Sequence, residues 1–155
     1  MLSQLEVAQK QWGGSNHVID AWLKERQELL VSYCELAGLP PYSQRESALP
    51  KAIEIKRFCQ ILLDYISAGH FEIFNDIVAR CQTKGFLSKQ KAEAIYPLIN
   101  KSTDFALQFN DKYAEASQAS SMTDFDKNLS ILGTLLEERF ALEDQLIEIL
   151  HKDHI

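Results

Sequence analysis

Glycine and proline residues in this chain stand between long segments whose apolar residues recur with a helical period. Gly13-Gly14, Gly38, Pro40-Pro41 and Gly69 each follow the end of such a segment. Both residue types disfavour a helix interior, so their placement indicates a series of separate helices. No segment alternates apolar and polar residues between hairpin turns, as a half-buried strand would. The pattern therefore predicts an all-α fold.

Four long helices and additional short ones are expected. The long ones begin at a cap at Ser15 or Asn16, at Pro50, after Ser88 and after Thr123, and they extend to about residues 37, 68, 117 and 151. Pro97 removes one backbone donor, so residues 89–96 and 97–117 form two helices or one kinked helix. The short helices are expected over residues 3–12 and 71–84. At 155 residues the chain matches one domain, 1–155, arranged as an antiparallel helical bundle.

The charge balance bears on the kind of partner. The chain has 16 basic and 22 acidic residues, a net charge of −6, which weighs against direct nucleic-acid binding and favours a basic partner. The first residues show no basic stretch followed by an apolar run, and no apolar segment approaches the roughly 18 residues of a membrane span. We therefore expect a cytoplasmic protein with no membrane contact.

The histidines and cysteines form no recognisable catalytic or metal-binding motif. Only Glu148-Ile149-Leu150-His151 matches the Glu-x-x-His pair of di-metal bundles, and one such pair cannot build a dinuclear site. His70 has no nearby cation to hold a phosphate, which disfavours phosphotransfer. The three cysteines contain no Cys-x-x-Cys pair. The sequence predicts no cofactor and no metal, and favours a binding protein over an enzyme.

Two arginines stand on helix stripes that are otherwise apolar. Arg26 follows Trp22 by four residues, and Arg139 directly precedes Phe140. A desolvated arginine left unpaired is costly, so each needs a carboxylate partner or a half-exposed side chain. The candidate acidic partners for structural ion pairs are Asp20, Asp64, Glu143 and Asp144.

Asp64 is expected near the C-terminal end of its helix, where the helix dipole disfavours a negative charge. An internal arginine would explain its position, and so would a basic residue on another protein. The sequence leaves both explanations open.

Three segments carry a specific pattern: Gly14 through Trp22 to Arg26, the run Asp64-Tyr65-Ile66-Ser67-Ala68-Gly69-His70-Phe71, and Arg139-Phe140-Ala141-Leu142-Glu143-Asp144. Together they resemble the regulator of sigma D family, the Rsd/AlgQ group of bacterial anti-sigma factors. The resemblance spans nearly the whole chain and is weakest over residues 38–50 and 84–128.

The resemblance implies a cytoplasmic protein that binds the primary sigma factor of RNA polymerase, chiefly its C-terminal region that reads the −35 promoter element. It implies partner binding at Asp64, with His70, Phe71, Trp22 and Arg26 also matching the family pattern. A second regulatory protein bound through a separate acidic face is a further possibility. The rival interpretation from another class is a small-molecule or metal-binding helical bundle.

Overall fold

Four long α-helices account for nearly all of the described chain. The structure, a computed structural model, describes residues 5–6, 17–38, 52–68, 86–114 and 124–154. The helices are α1 (His17–Ala37), α2 (Ala52–Ala68), α3 (Phe86–Tyr113) and α4 (Phe125–His154). No β-strand occurs in those ranges. The prediction of an all-α fold with four long helices is confirmed, while the predicted short helices lie outside the described residues except for helical Leu5 and Glu6.

Two side-chain clusters at different levels of the core show how the helices run. The charged cluster consists of Arg26, Tyr65, Ser102, Thr103, Arg139, Glu143 and Asp144. The aromatic cluster consists of Tyr33, Phe58, Phe109, Tyr113 and Phe125. Every helix contributes to both clusters, and successive helices pass between them in opposite directions. The bundle is therefore antiparallel, as predicted.

The predicted apolar stripes of α1 and α2 form the core. Their buried members are Ile19, Trp22, Leu29, Leu30 and Tyr33 on α1, and Ile55, Phe58, Cys59, Leu62, Tyr65 and Ile66 on α2. On α4 the stripe through Leu129, Leu132, Leu136 and Phe140 is also buried. A second apolar row on α4 is covered in part. Leu135 and Leu146 are buried and Leu142 is half-buried, while Ile131 is 38% exposed.

Helix α3 departs from its predicted boundaries. It runs without a break from Phe86 to Tyr113, so Ser88 lies inside the helix and does not cap it. Pro97 is exposed, and the carbonyl group four residues earlier, which loses its intrahelical donor, can therefore bond to water. Of the two predicted alternatives, two helices or one kinked helix, the structure has a single helix that continues through Pro97. The end of α1 agrees with prediction, since Gly38 adopts φ 68° and terminates it.

The seam between α1 and α4 requires a glycine. The Tyr33 hydroxyl donates a hydrogen bond to the Leu129 carbonyl at 3.0 Å. A Cβ atom at Gly133 would lie 2.1 Å from the Tyr33 oxygen. Only glycine allows this close approach, which brings α1 against α4 at the level of the aromatic cluster.

Candidate functional site

Arg26 is the centre of the charged cluster and is only 1% exposed. Its Nε donates to the Tyr65 hydroxyl at 3.1 Å. Nη1 donates to Asp144 Oδ1 at 2.7 Å, and Nη2 donates to Glu143 Oε1 at 3.3 Å. One guanidinium therefore joins α1 to α2 and α4.

Aromatic rings enclose the same guanidinium. Its central carbon lies 5.3 Å from the centre of the Trp22 ring and 5.0 Å from that of the Phe140 ring. The Tyr65 ring stacks on Trp22 and meets Phe140 edge to face. The faces of aromatic rings attract cations, so these rings partly replace the lost solvation of Arg26.

Glu143 links both arginines to Tyr65. Its Oε1 accepts a hydrogen bond from the Tyr65 hydroxyl at 2.5 Å in addition to the bond from Arg26. Its Oε2 accepts from Arg139 Nε at 3.0 Å, one helical turn earlier on α4. Burial raises the pKa of the Glu143 carboxyl, while the guanidinium groups of Arg139 and Arg26 oppose that rise. The carboxylate thus has a hydrogen-bond donor from α1, α2 and α4.

Arg139 extends the cluster to α3. Its Nη1 donates to Ser102 Oγ at 3.1 Å and to Thr103 Oγ1 at 2.7 Å. The Nη2 atom is buried and has no hydrogen-bond partner among the described residues. An unsatisfied buried donor costs about 1–3 kcal/mol. The observed conformation of Arg139 therefore lowers the free energy of unfolding to some extent.

The ionisation states of the cluster follow from burial. Burial alone lowers the pKa of Arg26, but Tyr65, Glu143 and Asp144 together raise it above its ordinary value, so the guanidinium stays charged. Burial raises the pKa of Tyr65 well above 10.0, so its hydroxyl keeps the proton that it donates to Glu143. The cluster is a fixed arrangement of donors and acceptors near neutral pH.

The structure brings together four of the five residues proposed for structural ion pairs: Arg26, Arg139, Glu143 and Asp144. The described ion pairs join Arg26 to Glu143 and Asp144 and Arg139 to Glu143, and the fifth residue, Asp20, lies elsewhere on α1. It is half-exposed and precedes Arg26 by six residues, which places it on another side of α1. Sequence reasoning also missed Ser102, Thr103 and the hydroxyl group of Tyr65 as members of the cluster. The position of Tyr65 three residues after Leu62 gave no indication of the role of its hydroxyl.

Asp64 is a surface residue that adjoins Tyr65, a member of this cluster, in the sequence. It precedes Tyr65 in the last turn of α2 and is exposed. Its Oδ1 accepts a hydrogen bond from Gln60 Nε2 at 2.9 Å, and within the described residues it forms no ion pair with Arg26 or Arg139. The internal-arginine explanation of Asp64 is therefore wrong for these two arginines.

The other residues assigned to partner binding are placed differently. Trp22 and Arg26 are 2% and 1% exposed, so neither presents its side chain to a partner in this structure. Both side chains lie beneath the surface of the free protein. His70 and Phe71 lie outside the described residues.

An open groove of about 480 Å³ runs between α1 and α2. Its lining residues are Lys24, Gln27, Glu28, Val31, Ser32, Glu35, Arg57 and Ile61. Ile61 lies about one helical turn before Asp64 on α2. In the parts of the chain that the structure describes, no His, Cys, Asp or Glu group is arranged to hold a metal, and no helix is both long and apolar enough to cross a membrane.

Sequence comparisons identify relatives of the chain. A family model described as "Regulator of RNA polymerase sigma(70) subunit, Rsd/AlgQ" matches residues 1–151. A "Regulator of sigma D" of Yersinia enterocolitica is 39% identical over 150 residues, covering 96% of this chain and 89% of the relative. Proteins of the same name from Yersinia pseudotuberculosis and Salmonella paratyphi B are 37% and 39% identical, covering 96% and 97% of this chain and 88% and 91% of the relatives. The chain belongs to the Rsd/AlgQ family of sigma(70) regulators.

Proposed function

We propose that this protein is a cytoplasmic anti-sigma factor that binds and sequesters the primary sigma factor of bacterial RNA polymerase. Binding is chiefly to the C-terminal region of sigma that reads the −35 element. Sequestration lowers housekeeping transcription and favours alternative sigma factors as cells enter stationary phase. The protein acts by stoichiometric binding, without catalysis, a cofactor or direct contact with nucleic acid. Family membership supports the choice of sigma as partner.

The exposed Asp64 is the observation that carries the proposed contact. Its carboxylate lies at the C-terminal end of α2, where the helix dipole disfavours negative charge, and its described partner is only Gln60. The fold therefore gains little from an aspartate at this position. A cation on a binding partner would give this carboxylate a stabilising interaction.

The chemistry of the expected partner complements this surface. A helix-turn-helix that reads DNA presents basic side chains to the phosphates, and a carboxylate surface attracts the same side chains. Val31 and Ile61 are half-buried in the groove between α1 and α2 and offer apolar area for side chains of the partner. Apolar contacts should supply most of the affinity, while charge sets the association rate and its salt dependence.

The rival function is a small-molecule or metal-binding bundle. Such proteins enclose their ligand in a concave site with converging polar groups. Here the groove is open, and the buried carboxylate of Glu143 and the half-buried carboxylate of Asp144 bond to arginine side chains. These observations favour recognition of a protein surface over an enclosed ligand.

Calorimetric titration with the cognate primary sigma factor at low salt tests the proposal. We expect a one-to-one complex that Asp64→Ala weakens about tenfold and Asp64→Arg about a hundredfold, since a close charge pair is replaced first by none and then by repulsion. Circular dichroism should show unchanged helical content for both variants. Asp104→Arg, the same charge change at an exposed position of α3, should leave the affinity unchanged.

Two results would contradict this proposal. Failure of the wild-type proteins to associate at micromolar concentration and low salt would refute sigma binding altogether. Equal affinities for the Asp64 and Asp104 variants would refute the placement of the contact on α2.

We also propose that a second regulatory protein can bind a separate acidic face. Glu137, Glu138 and Glu148 are exposed on α4, which lies diagonally opposite α2 in the bundle. Two faces so placed can be occupied together. Competition binding with and without sigma would show whether a partner captured by α4 is displaced, and displacement would contradict separate faces.

A further inference from the structure

We propose that the charged cluster is a positioning device for the partner surface, in which Tyr65, Arg26 and Glu143 fix the orientation of Asp64. This inference rests on the proposed function, because it assigns Asp64 to partner contact. It gives the buried residues of the cluster a role in recognition, although none of the three touches the partner.

The first argument is the placement of Tyr65 directly after Asp64. The Tyr65 hydroxyl accepts a hydrogen bond from Arg26 on α1 and donates one to Glu143 on α4. Its ring stacks on Trp22 and meets Phe140 edge to face. Helices α1 and α4 thus hold the end of α2 through one side chain, that of Tyr65. Asp64 shares the backbone of the last turn of α2, so its direction depends on the same contacts.

The second argument is that this part of the core consists of charged and hydrogen-bonding side chains. Apolar residues of similar volume commonly give equal or greater stability than a buried ion pair, so stability alone does not explain the cluster. Hydrogen bonds differ from apolar contacts because they weaken steeply with misalignment. Arg26, Glu143 and Arg139 therefore define one relative position of the helices more narrowly than apolar packing would.

The third argument is the burial of Trp22 and Arg26, which lie below the proposed contact surface. Arg26 reaches Tyr65 by a hydrogen bond, and Trp22 reaches it by ring stacking. Both therefore act on Asp64 through Tyr65. They are positioning residues in this proposal, and their match to the family pattern does not require direct contact with sigma.

A matched pair of tyrosine variants tests the inference. Tyr65→Phe and Tyr33→Phe each remove one buried hydroxyl that bonds across the bundle, but only Tyr65 adjoins Asp64. We expect Tyr65→Phe to weaken sigma binding about tenfold and Tyr33→Phe less than about twofold. In an Asp64→Asn background, Tyr65→Phe should change the affinity less than about twofold, because the group that it positions is already lost.

A second measurement detects the positioning in the free protein. In ¹H–¹⁵N spectra, Tyr65→Phe should shift the Asp64 amide and its α2 neighbours, while Tyr33→Phe should leave them unchanged. The inference is overturned if Tyr65→Phe weakens binding by the same factor with Asp64 and with Asn at position 64, or does not weaken it. Neither outcome contradicts sigma binding by the wild type or its loss in Asp64→Arg. The proposed function is therefore tested independently of this inference.

Discussion

The charged cluster and the aromatic cluster lie about two helical turns apart in the same core and hold the four helices in different ways. In the aromatic cluster, ring centres lie 4.8–6.1 Å apart at varied angles, as in ordinary hydrophobic packing. In the charged cluster, directional hydrogen bonds between individual side-chain atoms connect α1, α2, α3 and α4. The aromatic cluster buries apolar surface area, and the charged cluster fixes the relative positions of the helices.

The difference shows where this fold tolerates change. Apolar packing loses free energy gradually when a side chain changes shape, since neighbouring rings adjust their contacts. A hydrogen-bonded ion cluster does not adjust in this way, because removing one member leaves charged partners buried and uncompensated. The cluster with less tolerance includes Tyr65, which adjoins Asp64, the residue that we assign to partner contact.

The largest effect should come from Glu143→Ala, which leaves Arg26 and Arg139 without their shared carboxylate. We expect the free energy of unfolding to fall by about 3–5 kcal/mol, as for other broken buried ion pairs. Urea denaturation followed by circular dichroism measures this loss. Glu138→Ala, at an exposed position of the same helix, should change stability by no more than about 0.5 kcal/mol. Similar losses of unfolding free energy in the two variants would mean that Glu143 does not stabilise the buried charges of Arg26 and Arg139.

Shape-conserving substitutions should separate the two clusters further. Glu143→Gln keeps the side-chain shape but directs an amide donor toward the donors of Arg26, Tyr65 or Arg139, so we expect a loss of about 2–4 kcal/mol. Phe109→Leu removes part of a ring from the aromatic cluster and should cost about 1–2 kcal/mol. Urea midpoints of the two variants provide the comparison. A greater loss for Phe109→Leu would reverse the proposed order of tolerance.

The α1–α4 seam should respond to Gly133→Ala. Alanine favours a helix over glycine by about 1 kcal/mol, but its Cβ would overlap the buried Tyr33 hydroxyl. We expect a net loss of about 1–3 kcal/mol from the displaced ring and its broken bond to Leu129. Thr134→Ala, exposed on the next position, should be neutral or slightly stabilising in thermal unfolding. Stabilisation by Gly133→Ala would show that Tyr33 moves aside freely.

The sequence predicted the helices and the unusual arginines better than it predicted their partners. Helical periodicity places Arg26 and Arg139 on buried faces, because the face of a residue depends only on local spacing. The choice among Asp20, Asp64, Glu143 and Asp144 depends on which helices adjoin and at what height, which periodicity does not specify. Pro97 illustrates a second limit, since its effect on α3 depended on exposure to water.

The smallest predicted effect concerns alkaline pH and the cysteine beside the aromatic cluster. Burial raises the pKa of Cys59 from 9.0 to about 11, so the folded state holds the thiol proton more tightly than the unfolded state does. Its contribution to stability is complete below pH 9 and is lost as the pH rises toward 11. Relative to Cys59→Ala, the wild type should lose about 1–2 kcal/mol between pH 8 and pH 10.5, measured by urea denaturation at each pH. All other ionisable groups are the same in the two proteins, so their contributions cancel in the difference. If the unfolding free energies of the wild type and Cys59→Ala changed in parallel with pH, the folded protein would accept the Cys59 thiolate as readily as the unfolded chain does. The surroundings of Cys59 would then be less apolar than their packing indicates.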